Sequence, residues 1–484
     1  MRRMPDGMRW VLSAVVLAYG SALTGWICLF LASCAIGTLV TAATVISNLP
    51  LSLKWSRGLR IVAGIVVAFL SFKGLVTPPL QPPLLNGGVD AAAFAAIPYI
   101  DFVPRGADAG APGVSHLDTT SAVPGVNLYC PTGSSLARLV DLKGSLLHTW
   151  APETDFDDWK YVEFTADGGL LVLATDQGMM KLRPDGSSEW SAELTAHHSF
   201  SQTPDGTILA LTRKEEFVFW KGLPVPLLND RITELDANGL VRSETALIPM
   251  LRSFLSAGQV ARIYGRGLLL PWKAIEHLVR GVLGQGYLLA SSPFDVWHSN
   301  SIQLLTKPVP GVAQPGDWLI SVRNLNLLVI WDPGSGKTRW SWGPGELERQ
   351  HHATMLGDGT LQVFDNGPYR GWSRIVRLNP ALEEISWTYE AQPRNEFVCP
   401  YRGSAQPLSN GNILITHSFE GRAFEVTPAG RTVWSYQTPA KNEGRTAMIY
   451  RMTRVEDPPT WVARLGASRP HPVDTPSLDL TRNK

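Results

Sequence analysis

Five tryptophans, Trp150, Trp190, Trp340, Trp387 and Trp434, close segments of similar make-up; three of those segments, and a further one at 198–245, carry a tight-turn dipeptide. The turns are Asp167-Gly168, Asp205-Gly206, Asp358-Gly359 and Asn410-Gly411, each followed by an apolar run. Asp-Gly and Asn-Gly supply the positive φ that a hairpin needs, so each marks two antiparallel strands. Tryptophan spacings of 40, 47 and 47 residues match one four-stranded propeller blade. Five units follow, at 160–190, 198–245, 298–343, 351–388 and 403–436. Strand-like residues remain at both ends, 127–150 and 447–455. Paired, they make one more blade and leave no open sheet edge. An all-β, six-bladed β-propeller is expected, with seven blades as the alternative count.

Four regions break this pattern. Residues 10–53 carry no charged side chain, about twice what one membrane span needs. A second apolar run, 61–72, extends past Lys73 to about Leu80. The first run is too long for a cleaved signal peptide, so an N-terminal α-helical transmembrane anchor of two or three helices is expected over 1–80. Lys54, Arg57 and Arg60 fall between the runs and belong on the cytoplasmic side. The propeller would then face the periplasm or cell exterior from the inner membrane. Residues 81–124, rich in Pro, Gly and Ala, read as a linker or wrapping arm, and 125–462 as the propeller domain. Residues 246–290 show helical spacing and read as an insertion, and 463–484 as a flexible tail. Net charge is +1 with no basic stripe, which argues against nucleic acid as a partner. Cys130 and Cys399 lie outside the apolar runs. They are read either as a disulfide or as two buried thiols. Oligomeric state is not legible.

The chemistry-bearing residues share a register. His198 lies seven residues before Asp205-Gly206, and His351 seven before Asp358-Gly359. His298 opens a third such segment, whose turn is delayed to Gly316-Asp317. The first strand of a blade lines the central channel, so these histidines should converge. Lys160 and Gly403 hold the same register in other blades, while Asn300 and Arg323 fall nearby. A mouth lined by three His, Lys160, Arg323 and Asn300 suits an anionic group such as sulfate, phosphate or carboxylate. Imidazole can also serve as nucleophile or acid–base catalyst. A structural role, or a zinc site built from the three histidines, is the competing reading. His197 and His352 point to opposite faces from their neighbours and read as structural. Gly334-Ser335-Gly336-Lys337-Thr338 is not a phosphate loop, because the required first glycine falls on Trp331.

Five stretches resemble the PAPS-independent bacterial arylsulfotransferase family, in order. They are Leu139–Trp150, Trp297–Ile302, Ile320–Arg323, Gln350–Gly367 and Gly403–Ile415. The resemblance covers roughly residues 125–455 and leaves out the N-terminus. It implies a six-bladed propeller that transfers a sulfuryl group from an aryl sulfate donor to a phenolic acceptor. By similarity His351 would be the nucleophile, forming a sulfohistidine. Arg323, His298 and Asn300 would hold the sulfuryl oxygens, and His198 would act as acid or base. Lys160 is the remaining candidate for substrate binding. Neither metal nor cofactor is implied. The residue after the family's nucleophile is commonly Asp and here is His352, so sequence leaves open which of the pair reacts. A non-catalytic binding or scaffold propeller of the cell envelope is the alternative function.

Overall fold

The computed structural model describes residues 102–104, 111–203, 205–261, 263, 294–441 and 445–467. The expected membrane anchor therefore lies outside the described residues. Among the described residues no helix is long and apolar enough to cross a membrane.

Six four-stranded antiparallel blades make a propeller. The first blade holds Val126–Pro131, Ala137–Val140 and Leu146–Trp150, with Ile449–Val455 as its innermost strand. The second runs from Trp159 to Glu193, the third from Ala196 to Ala246 and the fourth from Ser299 to Trp342. The fifth runs from His351 to Tyr389 and the sixth from Ser404 to Gln437. The innermost strands neighbour one another in this order, and the sixth returns to the first. Part of the expected arm is ordered structure: Gly113–Leu117 pairs with Thr432–Gln437 as a fifth strand on the sixth blade. The expected tail begins too early, because a helix spans Thr460–Ala467 and docks Trp461 against Trp150. Helical residues also open the expected insertion at Ile248–Leu251 and 257–261, and its remainder from 264 is outside the described residues.

The repeat signals have the physical roles expected of them. Gly168, Gly206, Gly359 and Gly411 all take φ between 83° and 90°, where a Cβ is disfavoured. All five tryptophans sit on or at the end of the outer strand of their blade. Three reach the next blade: the indole Nε1 of Trp190 donates to Ala237 O (2.9 Å), Trp387 to Pro428 O (3.0 Å) and Trp434 to Leu142 O (2.8 Å). Each acceptor lies in the turn before its own blade's outer strand, so one residue type both packs and registers adjacent blades. Apolar clusters fill the spaces between blades, for example Trp150, Trp159, Leu139 and Val172 between the first and second. Cys130 belongs to that cluster and Cys399 to another, between the fifth and sixth blades; both are buried and unpaired, which removes the disulfide alternative. Pro333 to Gly336 form the turn of a fourth-blade hairpin capped by Asp332, and Lys337 opens the strand after it.

Closure is anchored by one buried ion pair. Arg454 on the innermost strand of the first blade donates to Glu425 (3.0 Å) and to Asn127 Oδ1 (2.7 Å). The guanidinium also lies over the Trp434 ring, 5.0 Å from its centre. Arg454 thus ties the C-terminal strand to the N-terminal strand beside it and to the sixth blade.

Candidate active site

Antiparallel pairing puts the start of each first strand beside the end of its second strand. Residues from both therefore collect at one mouth of the channel. His351 begins the first strand of the fifth blade and pairs with Phe364, and Asn366 follows the end of the second strand. His198 lies in the first strand of the third blade, and His298 immediately precedes that of the fourth. Arg323 is not inside a strand but opens the short turn after Trp318–Val322, with its N–H bonded to His298 O (3.2 Å).

Equal sequence offset does not mean equal backbone here. His198 falls within a bulge between Ala196 and Phe200 and has φ 60°. His351 is paired, and His352 instead occupies the bulge, with φ 45°. His298 also has positive φ, 53°. Arg349 and Arg402, which contact His351, take φ of 55° and 61°. Non-glycine residues in this region carry about 1 kcal/mol of strain each and tend to gather at functional sites. The bulges absorb different numbers of residues, yet the rings still meet. His198 and His298 ring centres are 4.7 Å apart, and His198 and His351 6.5 Å.

His351 is held in one tautomer. Its Nδ1 faces two acceptors, Asn366 Oδ1 at 2.7 Å and Arg349 O at 3.1 Å, so Nδ1 carries the hydrogen. Asn366 cannot turn around, because its Nδ2 donates to both Cys399 O and Arg402 O at 2.7 Å. The lone pair is left on Nε2, approached at 3.3 Å by the Arg402 N–H. Burial, then the Arg323 charge, hold the ring well below the ordinary imidazole value, hence neutral. His352 Nδ1 instead lies against the Ala405 backbone, 3.0 Å from its O and 3.1 Å from its N, away from that arrangement.

His298 and His198 face each other, Nε2 to Nε2, at 2.9 Å. His298 Nδ1 bonds Asp295, and His198 Nδ1 lies 3.0 Å from the Tyr450 hydroxyl. Burial lowers both histidines, most strongly His198, although Asp295 works against it at His298. With the histidines lowered, Arg323 is the positive group beside His298 and His351. Asn300 is buried and donates to Gln350 O (2.8 Å), leaving a second amide hydrogen and a bare Oδ1. Lys160 is buried and ion-paired with Asp158 at 2.8 Å. Gly403 has φ 95°, and a Cβ there would meet the Phe364 ring at 2.6 Å, so this register position in the sixth blade can carry no side chain.

Sequence reasoning missed Asp295, Tyr450 and Arg402. Asp295 sits three residues before His298, a local signal that was available; Tyr450 is 252 residues from His198 and gives none. His198 and His298 address each other directly at hydrogen-bond distance, and among the described residues no cluster of three or more His, Cys, Asp or Glu has metal-ligand spacing.

Residues 268–439 match the family model described as Arylsulfotransferase (ASST), a narrower span than the 125–455 expected. It includes His298, Asn300, Arg323 and His351 but neither His198 nor Lys160. No curated protein matches the chain in sequence. Solved structures that align with it include a protein of unknown function from Bacteroides caccae, at 15% identity and TM-score 0.44, covering 68% of this chain and 98% of that one. Streptogramin B lyase aligns at 14% identity and TM-score 0.40, covering 71% and 88%. A catalytically inactive virginiamycin B lyase from Staphylococcus aureus with quinupristin aligns at 11% identity and TM-score 0.37, covering 67% and 88%. Likeness at this level bears on no further point.

Proposed function

We infer the chemistry of this site from its family, because the chain carries an Arylsulfotransferase (ASST) domain. The proposed reaction moves a sulfuryl group from an aryl sulfate ester to a phenolic acceptor through a sulfohistidine on His351. The observation that carries it is the tautomer lock: a buried, neutral imidazole with Nδ1–H tied to Asn366 and its lone pair on Nε2.

In the first half-reaction the Nε2 lone pair forms a bond to sulfur, and the sulfur–aryl oxygen bond breaks. The aryl oxygen leaves with that electron pair and takes a proton from His198 in its protonated form. In the second half the acceptor phenol gives its proton to His198 and its oxygen bonds to sulfur. The S–Nε2 bond then breaks and His351 recovers its lone pair. Splitting the transfer into two displacements lets one site serve both partners in turn. Arg323 and the second amide hydrogen of Asn300 are suited to the sulfuryl oxygens, whose charge grows as sulfur passes between them. Residues 1–80 are proposed to anchor the propeller in the inner membrane, outside the cytoplasm, a reading supported by the uncharged run 10–53 and the basic residues 54, 57 and 60.

The test is intact-protein mass after brief exposure to 4-nitrophenyl sulfate, beside the His351→Ala variant. A gain of about 80 Da, one SO₃, in the parent alone supports the covalent mechanism. An unchanged parent that also releases no nitrophenol when phenol is added sinks it and leaves a binding or scaffold propeller.

A further inference from the structure

Four side chains from three separate parts of the chain form one row of hydrogen bonds. Asp295 meets His298 Nδ1, His298 Nε2 meets His198 Nε2 at 2.9 Å, and His198 Nδ1 meets the Tyr450 hydroxyl at 3.0 Å. Asp295 and Tyr450 are 6% and 4% exposed, so the row is closed to bulk water at both ends. The inventory of donors fixes its direction. An ionised carboxylate only accepts, so His298 Nδ1 carries a hydrogen and, in the neutral ring, Nε2 is bare. Two facing ring nitrogens at 2.9 Å need one proton between them, which must then sit on His198 Nε2. His198 Nδ1 is bare in turn, and Tyr450 donates to it. Every bond in the row points toward Asp295.

We propose that Asp295, as a positioning residue, and Tyr450, as the group that passes the proton, make His198 and His298 a single two-ring base, which holds the proton exchanged during sulfuryl transfer. This rests on the sulfotransferase reading above. The acceptor's proton reaches the pair through Tyr450: its hydroxyl oxygen takes that proton as its own hydrogen passes to His198 Nδ1, while the acceptor's O–H bond breaks and the new O–S bond forms. The pair returns that proton to the next donor's aryl oxygen as the S–O bond breaks and the bond from sulfur to His351 Nε2 forms. No proton is gained or lost over a full turnover. Asp295 faces the cation stored on the pair and neutralises it; Tyr450 fixes the His198 tautomer. The other charged and titratable groups facing the row are His197, His351, Arg213, Arg323 and Asp230. Burial raises Asp295, but the His298, Arg213 and His197 interactions outweigh it and hold it ionised. Burial and the neighbouring Asp295 push Asp230 up to about 7, so the site carries one firm negative charge and not two.

The test uses full-length protein in detergent and two donors. 4-Nitrophenyl sulfate releases a stable phenolate and needs no proton, whereas phenyl sulfate needs one. Asp295→Asn is expected to slow phenyl sulfate about 100-fold and 4-nitrophenyl sulfate less than about 5-fold, with the phenyl sulfate optimum moved to lower pH. The direction follows because Asp295 raises the proton affinity of His298. Tyr450→Phe is expected to show the same selectivity, about 10-fold. Equal losses for both donors, or none, overturn the proposal. Long-range ¹H–¹⁵N spectra of parent protein labelled in its ten histidines read the tautomers without turnover. Nδ1–H at His298 with Nε2–H at His198 is expected; Nε2–H at His298 overturns the row. A parent that turns over neither donor but shows these tautomers sinks the sulfuryl reading alone.

Discussion

Asn366 holds its amide oxygen 2.7 Å from His351 Nδ1, and two backbone carbonyls on its other side keep it from rotating. One side chain thereby decides which nitrogen of the candidate nucleophile is reactive.

Asn366→Ala should therefore act twice. Loss of the tautomer lock is expected to lower kcat about 100-fold, and the stranded carbonyls of Cys399 and Arg402 to cost about 1–3 kcal/mol of stability. Single-turnover rates on the folded fraction, together with urea unfolding, separate the two. A variant that keeps the parental rate would show that Asn366 does not orient His351.

Four histidines, His197, His198, His351 and His352, are held well below 6.5 by burial. Between the folded and unfolded values the unfolded chain binds more protons, so acid favours unfolding. Stability should be flat above about pH 6.5 and fall as pH drops below it. The acid limb of kcat/KM should lie lower still, since His351 stays neutral in the fold. Melting temperature from pH 8 to pH 4 tests the first point; a curve that rises on acidification contradicts it.

Removing one partner of the buried closing ion pair should be worse than removing both. Arg454→Met leaves Glu425 buried and uncompensated, at an expected cost of about 3–5 kcal/mol. Arg454→Met combined with Glu425→Gln should recover part of that loss. Chemical denaturation of the two variants beside the parent gives the comparison, and a double variant no more stable than the single one refutes it.

Gly403→Ala adds a methyl to a left-handed residue facing the Phe364 ring. A loss of about 2 kcal/mol or more is expected from strain and overpacking. Thermal unfolding decides, and an unchanged midpoint would show that the ring moves aside easily.

The blades were legible because each repeats a turn dipeptide and an outer-strand tryptophan, and both act locally. Units proposed at 198–245 and 351–388 became blades at 196–246 and 351–389. The third blade hid its hairpin, whose strands Ile208–Trp220 and Leu223–Leu235 pair along their whole length. Lys214-Glu215-Glu216 lies mid-strand, and the chain reverses at Lys221-Gly222, both with positive φ. Phe217 and Phe219 are left on the surface of that extension, where burial patterning gives no guide. The convergence of His198, His298 and His351 was legible from register. The local geometry was not, because bulges shift His198 and His351 differently. Tyr450 was out of reach because its role exists only once the ring has closed.

That closure has a consequence for the timing of synthesis. The strand that completes the first blade, Ile449–Val455, leaves the ribosome after every other blade strand, and it carries both Arg454 and Tyr450. Until it inserts, the innermost place beside Val126–Pro131 stands empty and His198 lacks its phenolic partner. An interrupted chain therefore lacks the ring closure and the finished histidine row together, and full assembly is the event that completes the mouth of the channel.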